Sequence, residues 1–277
     1  MTQFSASHAT SLKVFVEGIG LLGPGLSSWA QGRQHLDGSL PYEAGRCVLP
    51  SPLALPPAER RRAGVVVKVS LAVSQEAVEA SGLHANALLS VFSSSSGDAV
   101  NCHEICSALA SGDRLISPTR FHNSVHNAAS GYWSISSGAM ASSSVLCARD
   151  ASFAAGLLEA MTQVVVDDCP ALLVTYDTDY PEPLHGKRPV PDTMGVALVL
   201  TPRRSARSLA CITLQGTRFL TATAADIMDD AALETLRQAI PAARALPLLQ
   251  AIAKSETTPL VLAYLDDVQL AIEVAPC

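Results

Sequence analysis

The sequence predicts an α/β protein in which one sheet is layered with helices. Three features carry that reading. Short β-rich apolar runs alternate with segments whose apolar residues recur every three or four positions. Of 277 residues, 48% are apolar and 16% charged, the reverse of a disordered composition. No self-similarity appears at the roughly 20–50-residue period of repeat folds.

Residues 13–22 (KVFVEGIGLL) form the first strand, ending in the turn Gly23-Pro24-Gly25. Trp29 lies on a short helix. Residues 41–57 hold five prolines and read as a loop. Pro56-Pro57-Ala58-Glu59 starts a helix that carries Val66, Val69, Val73, Ala77 and Ala80 on one face and stops at Gly82. Residues 88–92 are a second strand, running into four serines and Gly97. Asp98 caps a helix to about residue 110. A loop opens at Ser117-Pro118, and a helix spans 123–137. A short strand covers 143–147, and Asp150 caps a helix to about 166. Strands follow at 172–176 and 195–200, separated by a Pro-rich loop over 180–191. Beyond Pro202 the pattern gives a strand at 209–214, two short helices broken at Pro241, and a hairpin over 260–274 turning at Asp266-Asp267.

The net charge of −6 argues against a nucleic-acid binder, since Arg60-Arg61-Arg62 is too short a run to neutralise a phosphate backbone. No apolar run approaches the roughly 20 residues of a membrane span. No basic start followed by an apolar block marks a signal peptide. Seven irregularly spaced cysteines are not a disulfide framework, and the expected setting is a reducing cytoplasm. The low charge fraction suggests a surface partly covered by a partner.

Several groupings could carry chemistry. His122 and His126 lie four apart on one expected helix face but lack a third metal ligand. Cys102 and Cys106 read as packing residues, because no second cysteine pair accompanies them. The serine run lacks the Lys-Ser/Thr ending of a phosphate loop and reads as a tight turn. Asp177 and Asp179 read as a solvated acidic turn. Cys147 ends a strand just before a helix. It is either a thiol activated by the helix N-terminus or a buried strand-end residue. No cofactor or metal is expected.

The stretch SPTRFHNSVHNAASGYWSI from Ser117, with SSVLC from Ser143 and SFAAGLLEA from Ser152, resembles the β-ketoacyl synthase family. It is most similar to the half-length branch, the ketosynthase-like chain-length-factor proteins of aryl polyene and xanthomonadin-type pigment clusters. The likeness covers roughly residues 13–201, with a looser match at 270–277. It implies a thiolase-like half-fold: a mixed five-stranded sheet with helices on both faces. The implied division is a ketosynthase-like domain at 1–203 and a small α+β extension at 204–277 packed on it.

In ketosynthases a helix glycine lies eight residues after the nucleophile, and counting back from Gly156 lands on Ala148, not Cys147. The two catalytic histidines of that family come from a second half. His185-Gly186-Lys187 falls only 38 positions after Cys147, too early to supply one. The resemblance therefore implies a non-catalytic subunit that pairs with a full-length β-ketoacyl synthase and meets the carrier-protein-bound acyl chain only indirectly. Phe121, His122, His126, Tyr132 and Trp133 are the expected interface or tunnel residues. The competing readings are a cysteine-dependent acyltransferase or hydrolase using Cys147, with His122 or His126 as base, and a purely structural homodimer.

Overall fold

The computed structural model describes residues 11–214, 219–220, 223–266 and 268–277. The first strand, β1 (Leu12–Leu22), leads through α1 (Trp29–Leu36) and the Pro-rich loop to α2 (Pro57–Arg62) and α3 (Val65–Ser81). Next come β2 (Leu89–Ser93), α4 (Ala99–Ala110), α5 (Pro118–Asn123), α6 (Ala128–Ser137) and β3 (Ser143–Leu146). The chain continues through α7 (Ser152–Asp167), β4 (Ala171–Asp177) and β5 (Met194–Thr201). The last part holds β6 (Ala210–Leu214), β7 (Phe219–Leu220), α8 (Ala231–Ala239), α9 (Leu246–Lys254), β8 (Thr258–Leu265) and β9 (Val268–Pro276).

The α/β layering is as the alternation predicts, but the sheet is larger than the five strands implied by the resemblance. Nine strands join it, in the order β3-β2-β4-β5-β1-β6-β9-β7, with β8 on the free side of β9. The first five in that order are the implied set. β2 runs parallel to both β3 and β4, and the other pairings are antiparallel. The reason for the growth lies in β1. β5 pairs one edge of β1 and would leave the opposite edge bare; β6 takes up that edge through Leu12↔Leu214 to Val16↔Ala210. The strands after residue 204 thus continue the main sheet.

Helices cover both faces. α3 lies across β1, β5 and β4 beside α6, and α7, α9 and the 3-10 turn Pro241–Ala245 cover the opposite face. Close approach of α3 depends on two glycines of β1 that point the same way. A Cβ on Gly18 would sit 2.0 Å from the Ala77 carbonyl oxygen, and one on Gly20 would sit 1.9 Å from that of Val73.

One expected helix is divided and another starts late. The helix starting at Pro56 breaks at Ala63, which is extended (ψ 113), and Gly64 begins α3. The expected helix over 123–137 starts late, as α6 at Ala128, and α5 lies before it. Ser117-Pro118 opens α5 rather than a loop: the Ser117 side chain accepts from the Arg120 amide, with Pro118 at the first helical position. One long-range bond ties the ends of α2 and α5 together, as Asn123 Nδ2 donates to the Arg62 carbonyl at 2.9 Å. The short strand β7 was not expected. In the C-terminal hairpin Asp266 lies in the turn, and Asp267 is outside the described residues.

Candidate functional site

The parallel trio β3-β2-β4 points its carboxyl ends the same way, the side on which open α/β sheets form their crevices. Three segments meet there: the turn from β2 into α4, the turn from β3 into α7, and the end of β4.

The serine turn is tied down from within. Ser95 donates its amide (2.9 Å) and its hydroxyl (2.5 Å) to Asp177 Oδ1, and the Gly97 amide goes to Ser94 Oγ at 3.0 Å. These amides are spent and cannot cradle a phosphate. Asp98 caps α4 through the Asn101 amide. Behind the turn, Ser93 Oγ meets Thr175 Oγ1 at 2.6 Å. Gly156 lets α7 close on this pair, because a Cβ there would lie 2.7 Å from Ser93 Oγ.

Asp177 is not the solvated acid expected from its sequence position. It ends a wholly buried strand and is itself 1% exposed. Burial pushes its carboxyl up to about 6, against the Ser95 bonds and the Arg188 charge that favour the anion. Its Oδ2 has no hydrogen-bond partner among the described residues. Ser95 Oγ continues the network to Tyr180 OH (3.2 Å), which accepts from Arg188 (3.4 Å).

Cys147 follows β3 and is exposed. Its thiol donates to the Ser95 carbonyl, with sulfur 3.1 Å from oxygen. Neither His122 nor His126 hydrogen-bonds it among the described residues. Ala148 follows, with its amide on Ser152 Oγ at 3.1 Å. Arg149 then adopts φ 52, a left-handed conformation uncommon for a residue with a side chain. The expected cap at Asp150 is replaced by a clamp. Asp150 pairs with Arg188 and with Arg244 (3.4 Å), and α7 begins only at Ser152 without a side-chain cap. Cys147 therefore stands outside the first turn of α7, where the dipole acts most strongly.

The five expected interface residues separate into two layers. Phe121 is 67% exposed, and His122 beside it is also exposed. Tyr132 and Trp133 are each 2% exposed, in the core layer beneath α3. Tyr132 OH donates to Asn123 Oδ1 at 3.2 Å. His126 is half-buried in the turn between α5 and α6, so it shares no helix face with His122. Its ring lies against Gly97 and hydrogen-bonds the Ser94 backbone, and burial lowers its pKa. Beside this layer a pocket of about 380 Å³ is lined by Arg62, Asp98, Asn101, Arg120, Asn123 and Thr178. Among the described residues no three His, Cys, Asp or Glu side chains converge to hold a metal ion, and no helix is long and apolar enough to cross a membrane.

Sequence reasoning missed the network Asp177–Ser95–Tyr180–Arg188–Asp150–Arg244. Two signals pointed to it: four consecutive hydroxyls after one strand, and an acid ending another strand with no polar residue before Thr175.

A layered sheet with a nucleophile-type strand-to-helix turn at the end of its parallel trio defines a thiolase-like, ketosynthase-type domain. The chain belongs to the β-ketoacyl synthase N-terminal domain family, whose model matches residues 29–260. Solved structures agree on the fold. A chain of the ketosynthase ApeO in complex with its chain length factor ApeC from Xenorhabdus doucetiae superposes with TM-score 0.66 at 21% identity, over 94% of this chain and 99% of that one. The ishigamide ketosynthase/chain length factor gives 0.67 at 13% identity, over 95% and 98%. The type II complex AntDE:AntF, an acyl-carrier protein with its ketosynthase bound to the hexaketide, gives 0.69 at 13%, over 96% and 99%. No curated protein sequence matches the chain.

Proposed function

We propose that the chain is a non-catalytic, chain-length-factor-type subunit that pairs with a full-length β-ketoacyl synthase in aryl polyene or related polyketide pigment biosynthesis. It works in the cytoplasm and meets the carrier-bound acyl chain through its partner. The observation that carries the reading is the state of the nucleophile turn. Decarboxylative condensation needs a thiolate, with imidazoles to stabilise the developing enolate. Here Ala148 stands where the family spacing expects the nucleophile, and the neighbouring Cys147 commits its proton to the Ser95 carbonyl. Among the described residues neither histidine that a cysteine hydrolase would recruit hydrogen-bonds Cys147, whose thiol goes to the Ser95 carbonyl instead, and His122 is at the surface.

Exposure supports the partner surface of this proposal. β3 pairs only with β2, which leaves its other edge open among the described residues. Phe121, Val125, Ile135 and Met140 are also exposed, Met140 at 92%. A face of this kind marks an interaction site. Phe121 and His122 are the contact residues of this proposal; His126, Tyr132 and Trp133 form the layer that supports them.

Co-expression with each β-ketoacyl synthase from the same gene cluster, followed by co-purification and light scattering, tests the pairing. The expected product is a 1:1 heterodimer with an interface above about 1,600 Å². Phe121→Asp with Met140→Asp disrupts it. In the assembled pair, Cys147→Ala holds polyene output within about twofold of wild type. A monomer indifferent to every such synthase, or a homodimer that excludes them, sinks the pairing. A loss of about 10³-fold on Cys147→Ala with folding intact restores the cysteine-enzyme reading.

A further inference from the structure

The packing role expected for the two α4 cysteines is not what the structure holds. Cys102 and Cys106 are both exposed, against the strong tendency of free cysteine to be buried. α4 buries only Ala99 and Asn101 and turns the rest of its length outward. Residues one turn apart share a face, with Cβ atoms about 5–6 Å apart. Burial first, then Cys106, then Asp98 hold the Cys102 thiol above its usual range.

Separation sorts the available chemistry. A disulfide needs Cβ atoms about 3.5–4.5 Å apart, so the intact helix keeps this pair from closing one. A metal ion bonded to two sulfurs at about 2.3 Å each spans up to ~4.6 Å between them. Side chains one turn apart reach that span by rotation about χ1. A tetrahedral zinc site requires more ligands than are present: no third His, Cys, Asp or Glu joins the pair among the described residues. His103 directs its Nε2 to Ser107 Oγ at 3.5 Å. What two thiolates alone select is a soft ion of low coordination number, Cu(I).

We propose that Cys102 and Cys106 form a two-thiolate site for Cu(I) on the outer face of α4. Binding replaces two thiol protons by one cation. Two S–H bonds break, two S–Cu bonds form, two protons pass to solvent, and no electron moves. The site carries a charge of −1 when filled, against zero when empty. It stands independently of the pairing proposed above.

The test is an anaerobic titration of the full chain with Cu(I) against a chromophoric Cu(I) chelator. One equivalent binds, and below the thiol pKa the apparent affinity rises up to about 100-fold per pH unit, the signature of two released protons. Cys102→Ser and Cys106→Ser each lower the affinity at least about 100-fold and reduce the pH slope to one proton. Cys147→Ser changes neither quantity. Thermal melts without copper match wild type for all three variants, which separates loss of ligand from loss of fold. Wild-type affinity in either α4 variant, a loss that follows Cys147 instead, or no binding by the wild-type chain overturns the proposal.

Discussion

Asp177 is the residue whose environment departs furthest from its place in the sequence. A carboxyl raised from 3.8 to about 6 on folding is bound more tightly by protons in the native state. Its contribution to stability is therefore full below pH 3.8 and is lost as pH rises through about 6, beyond which it is constant. The change amounts to roughly 3 kcal/mol. Asp177→Asn keeps an acceptor for Ser95 and removes the titration. Urea unfolding of both proteins between pH 4 and 7 should show wild type losing about that amount relative to the variant; parallel curves would show that Asp177 does not titrate in this window. Phe121 and Trp133 separate in the same manner. Trp133→Ala empties a core site and should cost roughly 3–5 kcal/mol. Phe121→Ala, at the surface, should stay within about 0.5 kcal/mol. With the partner present, Phe121→Ala should shift products towards longer polyenes. Melts read beside product mass spectra distinguish the two effects, and unchanged length with the heterodimer intact removes Phe121 from the tunnel.

Among the elements, the β1–α3 contact has the least tolerance. Most added methyl groups meet a side chain that can rotate. At Gly18 and Gly20 they meet backbone carbonyls of α3. Gly20→Ala therefore has to move the whole helix, and α3 also covers β4 and β5. The expected cost is about 3 kcal/mol or more, at the upper end of overpacking effects. Gly38→Ala is the control, since a methyl there meets nothing within 4 Å, although its φ of +82 brings a smaller backbone penalty. Equal melting temperatures for the two variants would refute the backbone-contact account. The nucleophile-type turn is the opposite kind of element. It is short, irregular and held by Asp150 between Arg188 and Arg244, arginines that come from a loop and from the 3-10 turn before α9.

For the whole molecule, the continuity of the sheet decides what can be removed. The family match runs through the expected division at residue 203 to residue 260, and we propose that residues 1–203 and 204–277 fold as one unit. β6 pairs with β1 over five residues, and α9 with the turn before it belongs to the same buried cluster as α7 and β5. A chain ending at residue 203 would expose the β1 edge and the apolar face of α7 together, a combination that favours aggregation. Size-exclusion chromatography should find it insoluble or oligomeric. A monomeric fragment with a cooperative melt would make residues 1–203 an independent domain.

The sequence by itself determined the local terms. Periodicity placed the strands and most helices, and a cap such as Asp98 is readable because a helix start is a contact within three residues. The glycine count from Gly156 to Ala148 and the motif from Ser117 located the nucleophile turn and the family. Tertiary structure decided whatever depends on residues far apart in the chain. The ends of α2 and α5 are joined by a bond between positions 61 residues apart. Asp177 is buried because the serine turn, 82 residues earlier, satisfies one of its oxygens. Cys102 and Cys106 are exposed because α4 has no layer above it. The sheet grew from five strands to nine because the edge of β1 opposite β5 was open. Burial and pairing are properties of what a residue meets, and local pattern carries only the part of that which its near neighbours set.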